Sequence, residues 1–428
     1  MIFDEAVRAL DARMPTRMVP DLDRMRALSD LLAHPERTYP SIHITGTNGK
    51  TTTAVVATEL LRALGLSVGT HTSPHLHSVR ERIAFDGEPI SAAEFAETYE
   101  YLAPYLEHVD AMGERVTYFE TLTMLAELWF AEKAVDLAVV EVGMGGEWDA
   151  TNLVDGRVAV ITEIALDHPE LGATPVEVAR EKTGIVKEGA VCLTGEHSPD
   201  VLAVIEERCG AAGATLRRAG DDFALEARRL AMGGQQLDLR IRTRRHDEIL
   251  VPVFGERMAT DALLGLAAVS AFTGDREMDE DVLRAGMANV RSPGRVEVLR
   301  RWPLLIVDGA HNPDAARALR AAVEESFTWN TLVLVLGMLG DKDVAGVVKT
   351  LAPMADTVIA TRPPSPRAAS TEQLAKEVAV FDPDVQTVAT VEGAVGRAME
   401  LAGESDCIVV AGSFYTVAAA RAVVLGLS

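Results

Sequence analysis

Residues Ser41 to Thr53 read SIHITGTNGKTTT. Ser41 to Thr45 have the β-branched, apolar pattern of a buried strand, Gly46 and Gly49 bracket a tight turn, and Lys50 opens a helical pattern. Strand, glycine turn and helix start together aim backbone N–H groups and a helix N-terminus at phosphate oxygens. The two glycines let the backbone approach the phosphates, Lys50 offers a point charge to the terminal ones, and Thr51 is placed to bind Mg²⁺. The spacing is not the common GxxxxGK[ST], because Ile44 stands five residues before Gly49. A bare structural turn is the competing reading, and a strand running straight into GTNGKTT favours the phosphate one.

Outward from this segment, apolar runs that end in Gly- or Asp-rich turns and pass into helical patterns recur, at Asp136–Val142 and Val158–Glu163. That alternation predicts an α/β protein with a mainly parallel sheet. Residues 220–253 break it with three short strand patterns, predicting an antiparallel β insert that covers an edge of the first domain. Ala259–Phe272 predicts a core helix, and Ser292-Pro293-Gly294-Arg295 a domain boundary. Beyond it the alternation restarts at Leu304–Val307, Thr331–Leu336, Thr357–Ala360 and Cys407–Ala411, predicting a second, Rossmann-like domain. The expected division is therefore 1–291, carrying the phosphate turn and the insert, and 292–428. The acidic run Asp275–Asp281 reads as a solvated helix start.

The chain has 428 residues and a net charge of −23, which argues against a general nucleic-acid or anionic-membrane binder. Any anionic substrate must then be held by local donors. No apolar run reaches the length of a membrane span and the first residues are acidic, so a cytoplasmic location is expected. Cys192, Cys209 and Cys407 are widely spaced and form no CxxC pair, the pattern of small buried hydrophobes in a reducing compartment. Seven lysines against thirty-four arginines make each lysine worth inspecting.

Four further segments carry polar groups beside strand ends. His71–Ser91 brings a hydroxyl, His75 and His77 close to Arg80 and Arg82, either an anion-facing cluster or an exposed hairpin. Val135–Asn152 is a buried strand ending in Glu141, followed by a glycine-rich turn with Trp148 and Asp149. A carboxylate at the C-terminal end of a parallel strand sits where open α/β sheets bind ligands, and Mg²⁺ favours carboxylate, hydroxyl, water and phosphate oxygens. Ile161–Gly189 brings Asp167 and His168, then Lys182 flanked by apolar residues, where burial would lower its pKa. Ile306–Ala315 ends a strand with Asp308, His311 and Asn312, a set able to hold an amine, ribose or phosphate.

In this order the segments GTNGKT, TSPHL with RERI, TYFE at Thr117–Glu120, EVGMGG with WDATN, REKTGI, SPGR and DGAHNP resemble the folylpolyglutamate synthase and dihydrofolate synthase branch of the Mur ligase superfamily. The resemblance spans nearly the whole chain. It implies a two-domain Mur-ligase-like α/β fold, with a P-loop ATPase domain followed by a Rossmann-like domain. It implies ATP-dependent addition of L-glutamate to dihydropteroate or to reduced folates through an acyl phosphate. By the same resemblance Asn48, Gly49, Lys50 and Thr51 cradle the triphosphate, Ser73, Glu141 and His168 hold magnesium, and Lys182 is carbamylated. Arg295 and Asp308 would contact the nucleotide, Trp148, Asp149 and Ala150 the pteroate, and His311 and Ser413 the incoming glutamate. Lys50, Lys182 and His311 are the catalytic candidates, and a monomer without nucleic-acid or membrane partners is expected.

The chain departs from the family in three places. Arg257, Met258 and Asp261 stand where it usually carries His, Gln and an Asn that touches adenine. Ionised Asp261 can only accept hydrogen bonds, which would suit guanine N–H donors and opens an ATP-versus-GTP question. Glu147 stands where an Arg is common, and the loop after His168 is one residue short and lacks an aromatic residue. These departures motivate an alternative reading, an amide ligase of the same scaffold that takes a different carboxylate acceptor. A non-catalytic nucleotide binder is disfavoured because Lys50, Glu141, His168 and Lys182 are all present.

Overall fold

The computed structural model describes residues 1–15, 20–166 and 169–427. Among them, one sheet has eight strands: β1 (Ser41–Thr45), β2 (Val68–His71), β3 (Ile83–Phe85), β4 (Glu88–Pro89), β5 (Leu137–Glu141), β6 (Gly156–Ile161), β7 (Val191–Thr194) and β8 (Thr215–Arg218). Their order is β4-β3-β2-β5-β1-β6-β7-β8. β1 lies between β5 and β6 and is parallel to both, with Ile44 opposite Glu141 and Thr45 opposite Ile161. Every residue of β1 and β5 is buried, as expected for strands covered on both faces. Parallel β2, β5, β1 and β6 bring the loops after residues 71, 141, 45 and 161 to one sheet edge. The segment after β2 is less exposed than the hairpin reading expected: a short 3-10 turn, Val79–Arg82, leads into β3, which pairs antiparallel with β2.

One core cluster joins Leu28, Phe95, Leu106, Leu122 and Phe130 of the helices on one side of this sheet. A second packs Ala159, Ile161, Val178, Ile185, Cys192 and Cys209. All three cysteines are free and buried, the small-hydrophobe role expected of them. The insert is a separate sheet of β9 (Phe223–Ala231), β10 (Gly234–Ile241) and β11 (Arg244–Val251), in the order β11-β10-β9. Consecutive strands joined by two-residue turns make it a meander. β11 is held by the Glu280–Asn289 helix, whose Arg284 donates to the carbonyls of Asp247 and Glu248. Asp279 caps that helix as the acidic run predicted, but Asp275 is not merely solvated: it takes a bidentate pair from Arg217 at 2.7 and 2.9 Å.

The remaining strands are β12 (Glu297–Arg301), β13 (Leu304–Asp308), β14 (Leu332–Leu336), β15 (Thr357–Thr361), β16 (Gln386–Val388) and β17 (Cys407–Ala411). They form a six-stranded sheet in the order β12-β13-β17-β14-β15-β16, parallel except for the β12–β13 pair. The chain divides into two compact units. The first contains 1–229, 236–251 and 260–290, and the second 230–235, 252–259 and 291–428. Among the described residues, no helix is long and apolar enough to cross a membrane.

Candidate active site

In the first unit, β1 runs into a turn that leaves no room for side chains. Gly46 has φ +148° and a Cβ there would stand 1.7 Å from Thr162 Oγ1, so only glycine fits. Thr162 donates to the Asn48 carbonyl at 2.6 Å, and the Thr47 N–H to the Glu163 carbonyl at 2.8 Å, tying the turn to the end of β6. Gly49 (φ +89°) then precedes the helix Lys50–Ala63. The Asp261 carboxylate lies against Gly49 and the residue is 5 % exposed, so this departure from the family pattern sits at the phosphate turn itself.

Lys50 curls over the turn, its Nζ donating to the carbonyls of Gly46 at 2.9 Å and Thr47 at 3.2 Å. Lys182 comes from the end of the Pro175–Lys182 helix, is 3 % exposed, and also donates to the Gly46 carbonyl, at 2.8 Å. The burial expected from its apolar neighbours is therefore present. Two ammonium groups on one oxygen are less than about 6 Å apart, which at an effective dielectric near 20 costs about 3 kcal/mol of repulsion.

Glu141, at the end of β5, is 2 % exposed and accepts from Thr51 Oγ1 at 3.0 and 2.9 Å and from the Ser73 N–H at 3.2 Å. Thr51, Ser73 and Glu141 thus come together. A buried carboxylate between two hydroxyl-bearing residues is a hard-oxygen donor set, which fits Mg²⁺ and not a soft metal. His168 and Asp167 lie outside the described residues. Among the described residues, no group of three His, Cys, Asp or Glu side chains converges.

The loop from Gly143 to Asn152 packs without gaps. A Cβ on Gly143 would meet the Phe119 ring at 2.4 Å, and one on Gly146 would meet the Lys182 carbonyl oxygen at 2.6 Å. Asp149 is 3 % exposed and accepts from the N–H groups of Met144 at 2.8 Å and Thr151 at 3.0 Å. Burial raises its carboxyl pKa, against the pull of these donors. Its oxygens hold the loop closed, and Ala150 is buried. Of the three pteroate candidates, Trp148 is the one that keeps exposed side-chain surface. Glu181 went unnoticed in the sequence: it accepts the Trp148 N–H at 3.3 Å, and its carbonyl takes the Glu147 N–H at 3.0 Å. Burial raises its carboxyl as well. Glu147 folds over Gly184 and acts electrostatically on Lys187, whose ammonium burial pushes down to about 8.

The two arginines of the 71–91 segment are engaged within the chain. Arg82 lies 5.6 Å from the Tyr118 ring centroid and donates from Nε to His75 Nδ1 at 2.9 Å, while Arg80 lies 5.7 Å from the Phe3 centroid. Burial brings the His75 pKa down to about 4, so it accepts as a neutral ring. His77 stays at the surface.

In the second unit, Asp308 ends β13 and accepts from the N–H groups of Val296 at 2.8 Å and Ala310 at 2.7 Å. Desolvation raises its carboxyl pKa. Val296 has φ +44°, a strained conformation for a β-branched residue. The Arg295 guanidinium lies 4.8 Å from the Phe414 centroid, and Gly309 closes on the same ring. His311 donates from Nδ1 to the Gly309 carbonyl at 3.0 Å. Asn312 and Ser413 are capping residues here. Asn312 accepts the Ala315 N–H at 2.8 Å, and Ser413, 2 % exposed, accepts the Thr416 N–H at 3.1 Å. The Thr416 hydroxyl donates to the Gly337 carbonyl, so the Ser413 hydroxyl donates to Thr416. That hydroxyl is therefore engaged within the fold as a helix cap.

Two family models match the chain, the Mur ligase middle domain over residues 44–269 and the Mur ligase, glutamate ligase domain over 294–414. The chain is 42 % identical to a dihydrofolate synthase/folylpolyglutamate synthase of Mycobacterium tuberculosis, over 96 % of this chain and 92 % of that protein. The structure is similar to that of Mycobacterium tuberculosis folylpolyglutamate synthase complexed with ADP and AMPPCP, with TM-score 0.94, 41 % identity, and 99 and 98 % of the two chains covered. It is also similar to a bifunctional folylpolyglutamate synthase/dihydrofolate synthase of Yersinia pestis complexed with AMPPNP and a Mn ion, with TM-score 0.85, 31 % identity, and 99 and 98 % covered.

Proposed function

The chain belongs to the folylpolyglutamate synthase/dihydrofolate synthase family of Mur ligases, and from that premise we propose that it adds L-glutamate to dihydropteroate, to reduced folates, or to both. It is an ATP-dependent ligase that forms a C–N bond. The observation that carries the reading is the convergence of Lys50, Lys182, Thr51, Ser73 and Glu141 around one glycine turn. In the reaction, a carboxylate oxygen of the acceptor attacks the γ-phosphorus of ATP and ADP leaves. The α-amine of glutamate then attacks the acyl carbon, and phosphate departs as the amide forms. Such a reaction asks the protein mainly for positioning and charge neutralisation.

The Asn48–Thr51 amides and the Lys50 ammonium bind the phosphates, Lys50 turning from its carbonyl contacts toward the γ-phosphate. Thr51, Ser73, Glu141 and His168 would hold a divalent cation, which supplies neutralisation of the phosphate charge. Trp148, on a loop fixed by Asp149 and Ala150, flanks the pteroate. Arg295 and Asp308 serve the nucleotide, and His311 with the backbone at Ser413 serves the incoming glutamate. Asp261, against Gly49, contributes an acceptor to the nucleotide site, and the adenine nucleotide complexes of the relatives favour ATP over GTP. Carbamylation of Lys182 fits the buried pair of cations: its neutral amine adds to CO₂, a proton is released, and the like-charge repulsion becomes attraction. The groups assigned lie on one chain and require no second copy. Three free thiols suit reaction in the reducing cytoplasm.

The test is ADP release with Mg²⁺, ATP, bicarbonate and L-glutamate, supplying 7,8-dihydropteroate and tetrahydrofolate in separate reactions and weighing the products by mass spectrometry. Glutamylated product from either acceptor is expected. Silence with both, from protein that binds ATP, would move the assignment to another carboxylate acceptor.

A further inference from the structure

Side chains alternate along a strand, so His43 and Thr45 of β1 project to one face while Ile42 and Ile44 project to the other. Both polar residues reach the Gly143–Asn152 loop. Thr45 Oγ1 donates to the Gly145 carbonyl at 2.7 Å, and His43 Nε2 lies 2.8 Å from Thr151 Oγ1. Asp149 already accepts backbone N–H groups at both oxygens, so the Thr151 hydroxyl donates to it, at 2.5 Å. The Thr151 oxygen is then left to accept, and His43 must carry its proton on Nε2. Its Nδ1 becomes a bare acceptor, buried and without a partner.

A residue that only filled this space would be apolar, since an unpaired buried nitrogen works against stability. His43 is fully buried and its neighbours on the strand are aliphatic, so leucine or methionine would serve the core better. What an aliphatic side chain lacks is the donor that reaches Thr151. Two residues along, Thr45 gives the same loop a second tie, and the next residue is Gly46 of the phosphate turn.

We propose that His43 and Thr45 are positioning residues that set the register of the acceptor loop against the phosphate turn. They thereby fix the separation between the acceptor carboxylate and the γ-phosphate. The inference rests on the ligase reading and deepens it: one strand carries the phosphate turn at its end and holds the acceptor loop from its side. A misplacement of about 1 Å at a reacting pair costs on the order of 100-fold in rate.

The experiment compares His43→Met and Thr45→Val, which delete the ties, with His43→Gln and Thr45→Ser, which keep a donor. Thr151→Val and Thr151→Ser repeat the comparison from the loop side should a strand variant fail to fold. With dihydropteroate or tetrahydrofolate as acceptor, the deleting variants are expected to lose at least tenfold in kcat or in acceptor kcat/KM. ATP affinity should stay within threefold of wild type, and Gln and Ser should restore most of the loss. Deleting variants within threefold of wild type, or an equal loss in the donor-keeping ones, would overturn the proposal. If wild type itself turns over neither acceptor, the assignment of folate acceptors fails instead. Hydrogen exchange then decides the inference, which requires His43→Met to speed exchange at 143–151 and leave 46–51 unchanged. Unchanged exchange at 143–151 would overturn it.

Discussion

Gly146→Ala offers a direct measure of how closely the acceptor loop is fitted to the segment bearing Lys182. A Cβ at this position would stand 2.6 Å from the Lys182 carbonyl oxygen, 2.9 Å from that of Glu181 and 3.0 Å from the Lys182 carbonyl carbon. All three are backbone atoms and cannot rotate aside. Ordinary contact begins at 3.4 Å, so the two segments must separate by about 0.8 Å. At the far end of Lys182 its Nζ makes a 2.8 Å bond to the Gly46 carbonyl, and a shift of that size moves the amine off the turn. If 1 Å of misplacement costs about 100-fold, turnover should fall about 30-fold, or about 2 kcal/mol of barrier. Overpacking should also cost about 1–3 kcal/mol of stability. Acceptor-dependent ADP release gives the rate, and a thermal melt shows that the variant is folded. Gly210→Ala is the control: it lies in the Pro199–Ala212 helix with nothing within 4 Å of a Cβ, and should gain about 0.5–1 kcal/mol with unchanged turnover. A folded Gly146→Ala enzyme within threefold of wild type would refute the close-fit argument.

Three other outcomes are expected. Lys50→Ala should lose at least about 30-fold in turnover, because removing a transition-state contact to phosphate costs about 2 kcal/mol or more, and a change below threefold would remove Lys50 from the phosphate site. Glu127 is 3 % exposed, and burial followed by the nearby Glu36 charge holds its pKa well above the usual carboxylate range. The unfolded chain gives up that proton from about pH 4 upward while the folded chain keeps it, so the group subtracts stability as pH rises. Glu127→Gln should therefore melt a few degrees higher than wild type at pH 8, with the gap narrowing toward pH 5; a gap independent of pH would contradict this. Arg24 forms a buried pair with Glu120 at 2.8 Å, and Arg24→Met should shift a denaturant midpoint by about 3–5 kcal/mol of stability, where a loss below about 1 would mean the pair is solvated in practice.

The fold was legible where burial on both faces forces a continuous apolar run, as in β1, β5, β13, β14 and β17. β12, with residues Glu297–Arg301, lies at a sheet edge with two exposed arginines in or beside it and leaves no such signature. At the site, Lys50, Thr51 and Glu141 are marked in the local sequence by a glycine turn and a strand end, and Lys182 by the scarcity of lysine and its apolar neighbours. Glu181, Thr45 and His43 could not, because each acts through a contact far along the chain that no local pattern encodes. Asp149 and Ser413 have a structural task that the local sequence does not separate from ligand binding. A short polar residue after a glycine or before a helix resembles a ligand, yet Asp149 and Ser413 accept the N–H two or three residues on, the ordinary work of a cap. The Gly-Gly pair at 145–146 was the available clue to Glu181 and Lys182, since such a pair marks a place where another backbone comes close.

The folding of Lys50 and Lys182 onto the Gly46 carbonyl has a practical side. Of seven lysines, Lys133, Lys349 and Lys376 are exposed, whereas Lys182 is buried and Lys50 is half-covered by its own turn. Amine-directed reagents will therefore reach those three lysines before they reach Lys182. Light amine labelling should modify them before it touches the buried amine at the phosphate turn.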